Sequence, residues 1–315
     1  MIVESHMSYS TLILVVLHLA VILLAPLLLQ GVINRTKAFF GGRQGPPLCQ
    51  SYFDVWRLLQ KGSVQSTTTT WLFRFGPAAG LASTLVAALL IPLGQTWAPV
   101  SFAGDVLLFA YVLALGRFFL VLSALDTGSA FEGMGAAREV TFACFAEPAI
   151  FFCLLVLAKV NDSLRMADLF VGPLSSGSGA NLTPLLLVVV SWFLLMLAEN
   201  CRIPFDDPNT HLELTMIHEV IVLDHSGPML AVIQVAAALK LFVFAALAVR
   251  LAVPLDFGTA WGGWMVFILC TSLVAVALGV VESVMARLRL NIVPHVLTSA
   301  GVIAAFGFIL LVTMP

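Results

Sequence analysis

Arg117, Glu147 and Lys240 each sit well inside a long apolar run of this sequence. A charge at the bilayer centre costs about 2.5–3.5 kcal/mol on insertion scales, so such a residue is paired, hydrated or functional. Carboxylates beside Lys or Arg move charge by changing protonation when burial brings that change within reach of neutral pH. Arg117 lies about eight residues from the inner end of its run, and Glu147 about eight into the next. At ~1.5 Å per residue both are roughly 12 Å deep, so they are placed to pair. Lys240, about eleven residues into its own run, is roughly 16 Å deep by the same rise. Glu139, Glu199 and Glu282 stand nearer the inner ends of theirs. One reading makes all of these structural ion pairs and charges snorkelling to the interface, above all Glu139 and Glu282. The other makes them a hydrated polar chain entering the membrane.

A second concentration covers 199–228, with Glu199, Arg202, Asp206, Asp207, His211, Glu213, His218, Glu219, Asp224 and His225. His218-Glu219 begins like H-E-x-x-H, but position 222 is Val, so the zinc-protease motif fails. If 209–225 is helical, His211, His218 and His225 share one face. Such histidines are more often solvated or bonded to neighbouring acids than metal-bound, and no metal site is assigned. Pro204 and Pro208 bend this segment where it leaves the membrane, which predicts a surface lip. Cys49, Cys144, Cys153, Cys201 and Cys270 form no C-x-x-C pair, so an iron–sulfur or structural zinc centre held by this chain is not expected. Phosphate-cradling glycine motifs are absent too. Two sequons, at Asn161 and Asn181, are tripeptides that arise readily by chance and carry no role.

The elements that must position these residues follow from composition. Of 315 residues, 60% are hydrophobic and 10% charged, where soluble domains carry about 25% charged residues. Lipid is the solvent that accepts such a chain. A span needs roughly 20 apolar residues, and eight windows qualify: about 10–33, 75–94, 106–125, 140–160, 182–203, 229–253, 264–283 and 293–313. The expected fold is an all-α integral membrane protein of eight transmembrane helices with two long cytoplasmic loops and no soluble domain. Met1–Ser10 carries no Lys or Arg, so the first run reads as a retained span rather than a secretory signal. Connections after spans 1, 3, 5 and 7 carry ten Lys and Arg against three on the other side. That bias places them in the cytoplasm and both termini outside. The first long connection, 34–74, is broken by Gly41, Gly42, Gly45, Pro46 and Pro47, and its Tyr52–Leu59 stretch suits a short interfacial helix. The second is the acidic 199–228. The outward 172–181 segment is a Gly/Ser linker.

Glu199–Leu214, ENCRIPFDDPNTHLEL, resembles the membrane-subunit family shared by respiratory complex I and energy-converting nickel–iron hydrogenases. The resemblance extends over nearly the whole chain. GRQGPPLCQSYFDVWRLLQKG at 42–62 is similar to the family's first cytoplasmic loop, and ESVMARLRL at 282–290 to its penultimate-helix ending. LDTGSAFEGMGAARE at 125–139, with Glu147-Pro148, looks closer to the hydrogenase-4 and formate hydrogenlyase branch.

The resemblance implies a membrane-anchoring and energy-coupling subunit of a multi-subunit oxidoreductase in the cytoplasmic membrane. It implies no redox centre in this chain, with nickel–iron and iron–sulfur centres in partner subunits. Implied partners are a peripheral hydrogenase-like large subunit, an iron–sulfur small subunit, antiporter-like membrane subunits and the lipid bilayer, with no nucleic acid. Carried over, Arg43, Gly45, Pro46 and Asp54 belong to one docking loop. Arg202, Pro204, Phe205, Asp206, Asp207, Glu213, His218 and Glu219 belong to the second, which floors a quinone chamber in complex I. Arg117, Arg138, Glu139, Glu147, Glu199, Lys240 and Glu282 become the coupling path for protons or sodium. Formate hydrogenlyases follow Pro-Phe-Asp with Ala and Glu, whereas this chain has Asp207-Pro208-Asn209-Thr210-His211, which leaves the electron donor open. A quinone-site subunit of an NADH:quinone oxidoreductase is the alternative. A stand-alone secondary transporter is a more distant one, since neither internal repeat nor paired Gly/Pro interruptions occur.

Overall fold

The computed structural model describes residues 9–94, 97–170, 182–206, 216–253 and 260–313. Eight of its helices are long and apolar enough to cross a membrane. In chain order the helices are α1 (Tyr9–Phe40), α2 (Gln50–Leu59), α3 (Trp71–Leu90), α4 (Asp105–Asp126), α5 (Ala130–Asn161), α6 (Met166–Leu169), α7 (Leu182–Glu199), α8 (His218–Ile221), α9 (Pro228–Ala252), α10 (Ala260–Val284) and α11 (Val293–Thr313). Large apolar side chains face outward all around the bundle, among them Leu23, Tyr111, Met265 and Val302. That surface suits acyl chains and would not stay dispersed in water.

The helix at the centre is α9. Its stretch from Leu241 to Leu247 is wholly buried, because α1, α3, α7 and α10 enclose it. A helix apolar all round belongs in such a position. A second group joins α5, α7 and α11, where a Cβ on Gly301 would meet Ala149 at an ordinary 3.4 Å. Here Ser191 donates to the Ala300 carbonyl at 2.9 Å. Between α3 and α4 the backbones approach so closely that a Cβ on Gly76 would lie 2.9 Å from the Phe119 carbonyl, and one on Gly116 would collide with Ser83. Lipid supplies no hydrophobic drive between helices, so small residues that let backbones meet hold this crossing together.

Several bounds differ from the expected windows. Helix α1 continues through Arg35 and Lys37 to Phe40, and α5 begins ten residues early at Ala130. Hydropathy marks only the apolar part of a helix, and these polar turns stay helical beyond it. The expected fifth span, 182–203, instead stops at Glu199. There Arg202 N–H bonds the Leu197 carbonyl at 2.9 Å and Cys201 N–H bonds Ala198 at 3.1 Å, with Cys201 at φ +48°. This is a Schellman closure with cysteine in the left-handed position.

Two prolines explain polar contacts inside the bundle. Pro77 and Pro92 have no N–H to give the carbonyls of Phe73 and Ala88, four residues back. Ser123 of α4 donates to the Phe73 carbonyl at 3.2 Å. His18 of α1 reaches the Ala88 carbonyl at 3.4 Å, its ring between Trp97 and Trp264.

The first long connection folds back along α1. A Cβ on Gly31 would collide with the Leu48 carbonyl, and the Tyr52 hydroxyl donates to the Leu24 carbonyl. Helix α2 rests on α1 and α9 while Phe53, Trp56 and Leu59 point outward.

Candidate functional site

Arg117 is the hub. Its Nη1 donates to Glu147 at 2.6 Å, its Nη2 donates to Glu199, and its Nε faces Glu139 at 3.4 Å. Lys240 closes the other side of Glu199, with Nζ 2.7 Å from the carboxylate and 2.7 Å from the Glu199 carbonyl. That carbonyl belongs to the last turn of α7, the negative end of the helix dipole, where an ammonium is favourably placed. Four helices thus meet in one cluster: α4 with Arg117, α5 with Glu139 and Glu147, α7 with Glu199, and α9 with Lys240. Three carboxylates face two cations. Exposure is graded along it: the side chains of Glu199, Arg117 and Glu147 are 4%, 11% and 41% exposed.

The cluster separates two cavities. One, about 100 Å³, is lined by Gly80, Ser83, Thr84, Asn200, Cys201, His218 and apolar residues, with Arg117, Glu139, Glu199 and Lys240 along its wall. A water molecule needs roughly 10–15 Å³, so several fit. The other, about 20 Å³, lies across Arg117, Glu139 and Glu199 among Phe142, Phe205 and Leu297. Burial pushes the Cys201 thiol, on the wall of both, well above its ordinary value. It stays a neutral thiol there.

A second set of ion pairs ties the helix ends together where the 41–70 and 200–227 connections emerge. Glu282 of α10 accepts from Lys37 of α1 at 2.8 Å and from Arg202 at 3.4 Å. Asp206 pairs with Arg287 at 3.0 Å and accepts the N–H groups of Ile217 and His218 at 2.9 and 3.2 Å. Arg138 Nη1 donates to the Met216 carbonyl at 2.8 Å. The expected surface lip is therefore corrected at its start: Pro204, Phe205 and Asp206 are buried. Phe205 packs into the apolar core, because the Schellman turn after Glu199 directs the chain inward.

The idea of three histidines on one helix face also fails where the chain is described. Helix α8 ends at Ile221, and His225 lies 3% exposed, stacked on Phe73 at 4.1 Å and 3.1 Å from Ser123. His211, Asp207 and Glu213 lie outside the described residues. Arg43, Gly45, Pro46 and Asp54 are exposed on the first connection, and Glu219 is half-buried on α8. Sequence reasoning missed the buried Asp105, Glu132, His18 and Arg250. Asp105 accepts the Met166 N–H at 2.6 Å and Glu132 that of Asp224 at 3.0 Å. For His18 a signal did exist, the carbonyl that Pro92 orphans. Among the described residues no three His, Cys, Asp or Glu gather as a metal site.

Eight spans around a buried, branched ion-pair cluster define a polytopic membrane protein with charge set in its core. The chain belongs to the NADH dehydrogenase family, whose model matches residues 12–313. It is 33% identical to hydrogenase-4 component C of Escherichia coli over 93% of each chain. With formate hydrogenlyase subunit 4 of the same organism it shares 31% identity, over 89% of this chain and 91% of that one. A subunit of the NADH-quinone oxidoreductase of a Polaromonas species is 29% identical over 74% of this chain and 65% of its own length. In fold, the chain matches a solved chain of the membrane-bound sulfane sulfur reductase, an archaeal respiratory membrane complex, with a TM-score of 0.80 over 94% of this chain and 97% of that one, at 18% identity.

Proposed function

We propose that this chain anchors a multi-subunit hydrogenase-type oxidoreductase in the cytoplasmic membrane and couples its electron transfer to proton or sodium movement. The kinship with hydrogenase-4 component C and formate hydrogenlyase subunit 4 supports membership of such a complex. The observation that carries the coupling role is the charge count of the cluster: Glu139, Glu147 and Glu199 against Arg117 and Lys240. An uncompensated charge is expensive away from water. One negative charge in excess makes the cluster a seat for one exchangeable cation, a proton above all.

Glu199 is the pivot because it joins both cations and also ends α7. The segment after it, through Arg202 and Asp206, is locked to Glu282 and Arg287, so movement of the 200–227 connection is transmitted to the Glu199 turn. Drawing Lys240 away would leave one cation for three carboxylates and call in a proton from water in the adjoining cavity. Its return would expel that proton. The driving movement would come from a peripheral arm docked on Arg43, Gly45, Pro46, Asp54, Arg202, Asp207, Glu213, His218 and Glu219, with nickel–iron and iron–sulfur centres held by the partners.

The test is mild-detergent purification of the tagged chain from native membranes, with mass spectrometry, metal analysis and quinone extraction. Nickel, iron and a hydrogenase-like large subunit are expected. In inverted vesicles, Glu199→Gln should leave the complex assembled and abolish turnover-linked acidification. Iron–sulfur partners with quinone and no nickel would move the chain to the quinone-reductase branch. Recovery of the chain alone would overturn the reading.

A further inference from the structure

Glu147 is the cluster's outermost member, and it faces out of the molecule. It stands 17 residues from the first residue of α5 and 14 from the last, roughly 25 and 21 Å from the helix ends at ~1.5 Å per residue. The first ten residues of α5 precede the apolar window, which leaves Glu147 roughly 12 Å inside it, near the middle of ~30 Å of hydrocarbon. Its Oε1 is held by Arg117 at 2.6 Å, yet the side chain is 41% exposed. It opens into a groove of about 450 Å³ lined by Cys144, Pro148, Phe151, Phe152 and Leu155. Pro148 adds a second acceptor, because it has no N–H for the Cys144 carbonyl four residues back.

A half-exposed carboxylate and an orphaned carbonyl at mid-membrane cannot be left to acyl chains, which donate no hydrogen bonds. A second copy of this chain related by a two-fold axis would set one Glu147 against another, adding like charge to a cluster already one negative in excess. We infer that the Cys144–Leu155 face of α5 is the seam for a transmembrane helix of a different subunit, which brings a hydroxyl, amide or ammonium donor to Glu147. This rests on the reading of the chain as one subunit of a larger membrane complex. It adds which face the neighbour occupies and what that neighbour must carry.

The experiment places a benzophenone amino acid at Leu155, 45% exposed in the groove, in the tagged full-length chain in native membranes, with Met265 of α10, 73% exposed, as the comparison position. On illumination the Leu155 probe should yield an adduct with a different polytopic protein, mapped to a span that carries a donor side chain. Glu147→Gln, which keeps a hydrogen-bonding group, should retain that adduct, and Glu147→Leu should lower it at least fivefold. Lipid adducts alone, an adduct with a second copy of this chain, or equal yield from Glu147→Leu would each overturn the seam. If the oxidoreductase subunits co-purify while the Leu155 probe meets only lipid, the seam fails and membership of the complex stands. If the adduct forms where no hydrogenase-like subunit is recovered, the seam stands and the hydrogenase reading fails.

Discussion

Arg117 satisfies three carboxylates at once, and removing it would leave them with Lys240 alone. Breaking one partner out of a buried ion pair costs about 3–5 kcal/mol, because the other charges stay behind in low dielectric. Arg117→Met should therefore lower the melting temperature of the purified chain substantially more than Glu199→Gln, which removes the single negative charge in excess. Differential scanning fluorimetry in detergent measures both, and equal losses would speak against the charge count. His225 makes a separate prediction. Its burial against Phe73 pushes the imidazole down to about 4, while a released imidazole titrates near 6.5. Between those values only the unfolded form binds the proton, so stability falls as pH drops from about 6.5 to about 4 and levels off below. The loss is on the order of 3 kcal/mol at ~1.36 kcal/mol per pH unit. His225→Phe should flatten that part of the pH–stability profile. Ser123 donates to the Phe73 carbonyl, so the His225 nitrogen beside it is best served as an N–H donor to the serine oxygen. That tautomer buries a bare Nδ1 lone pair rather than an unsatisfied N–H.

At the scale of the element, the α3–α4 crossing decides whether Arg117 is aimed correctly. Gly116 precedes Arg117 and lies against Ser83, whereas a Cβ on Gly80 would meet nothing within 4 Å. Gly116→Ala should force the helices apart and destabilise the fold by about 1–3 kcal/mol. Gly80→Ala should be neutral or slightly stabilising, since alanine is the better helix former. Thermal melts of the two variants separate a packing requirement from a general preference for glycine. The existence of the eight long helices was legible in the sequence because an apolar run long enough to cross lipid leaves the backbone one way to satisfy itself. Their ends were not. Lys37, Arg138 and Glu139 stay helical past the apolar windows because partners across the bundle, Glu282, the Met216 carbonyl and Arg117, receive them. The stop at Glu199 depends on Cys201 accepting a left-handed turn that cysteine rarely takes.

Across the whole molecule, the ten basic residues on one set of connections against three on the other lead us to propose that the termini lie outside. A C-terminal alkaline phosphatase fusion should be active and a green fluorescent protein fusion dark, and the opposite pattern would invert the proposed docking face. By itself the sequence determined the membrane as solvent and the number of spans, which follow from local composition and a fixed rise per residue, while motifs such as ENCRIPFDDPNTHLEL carried the resemblance to the family. It also suggested Arg117 with Glu147 as a pair, from their matching depths. Only the tertiary structure made Glu199 the meeting point of Arg117 and Lys240, drew Phe205 and Asp206 inside, and turned Glu147 outward. Depth is a one-dimensional quantity read along a helix. Which way a side chain points around that helix, and what it meets, is set by packing between segments far apart in the chain.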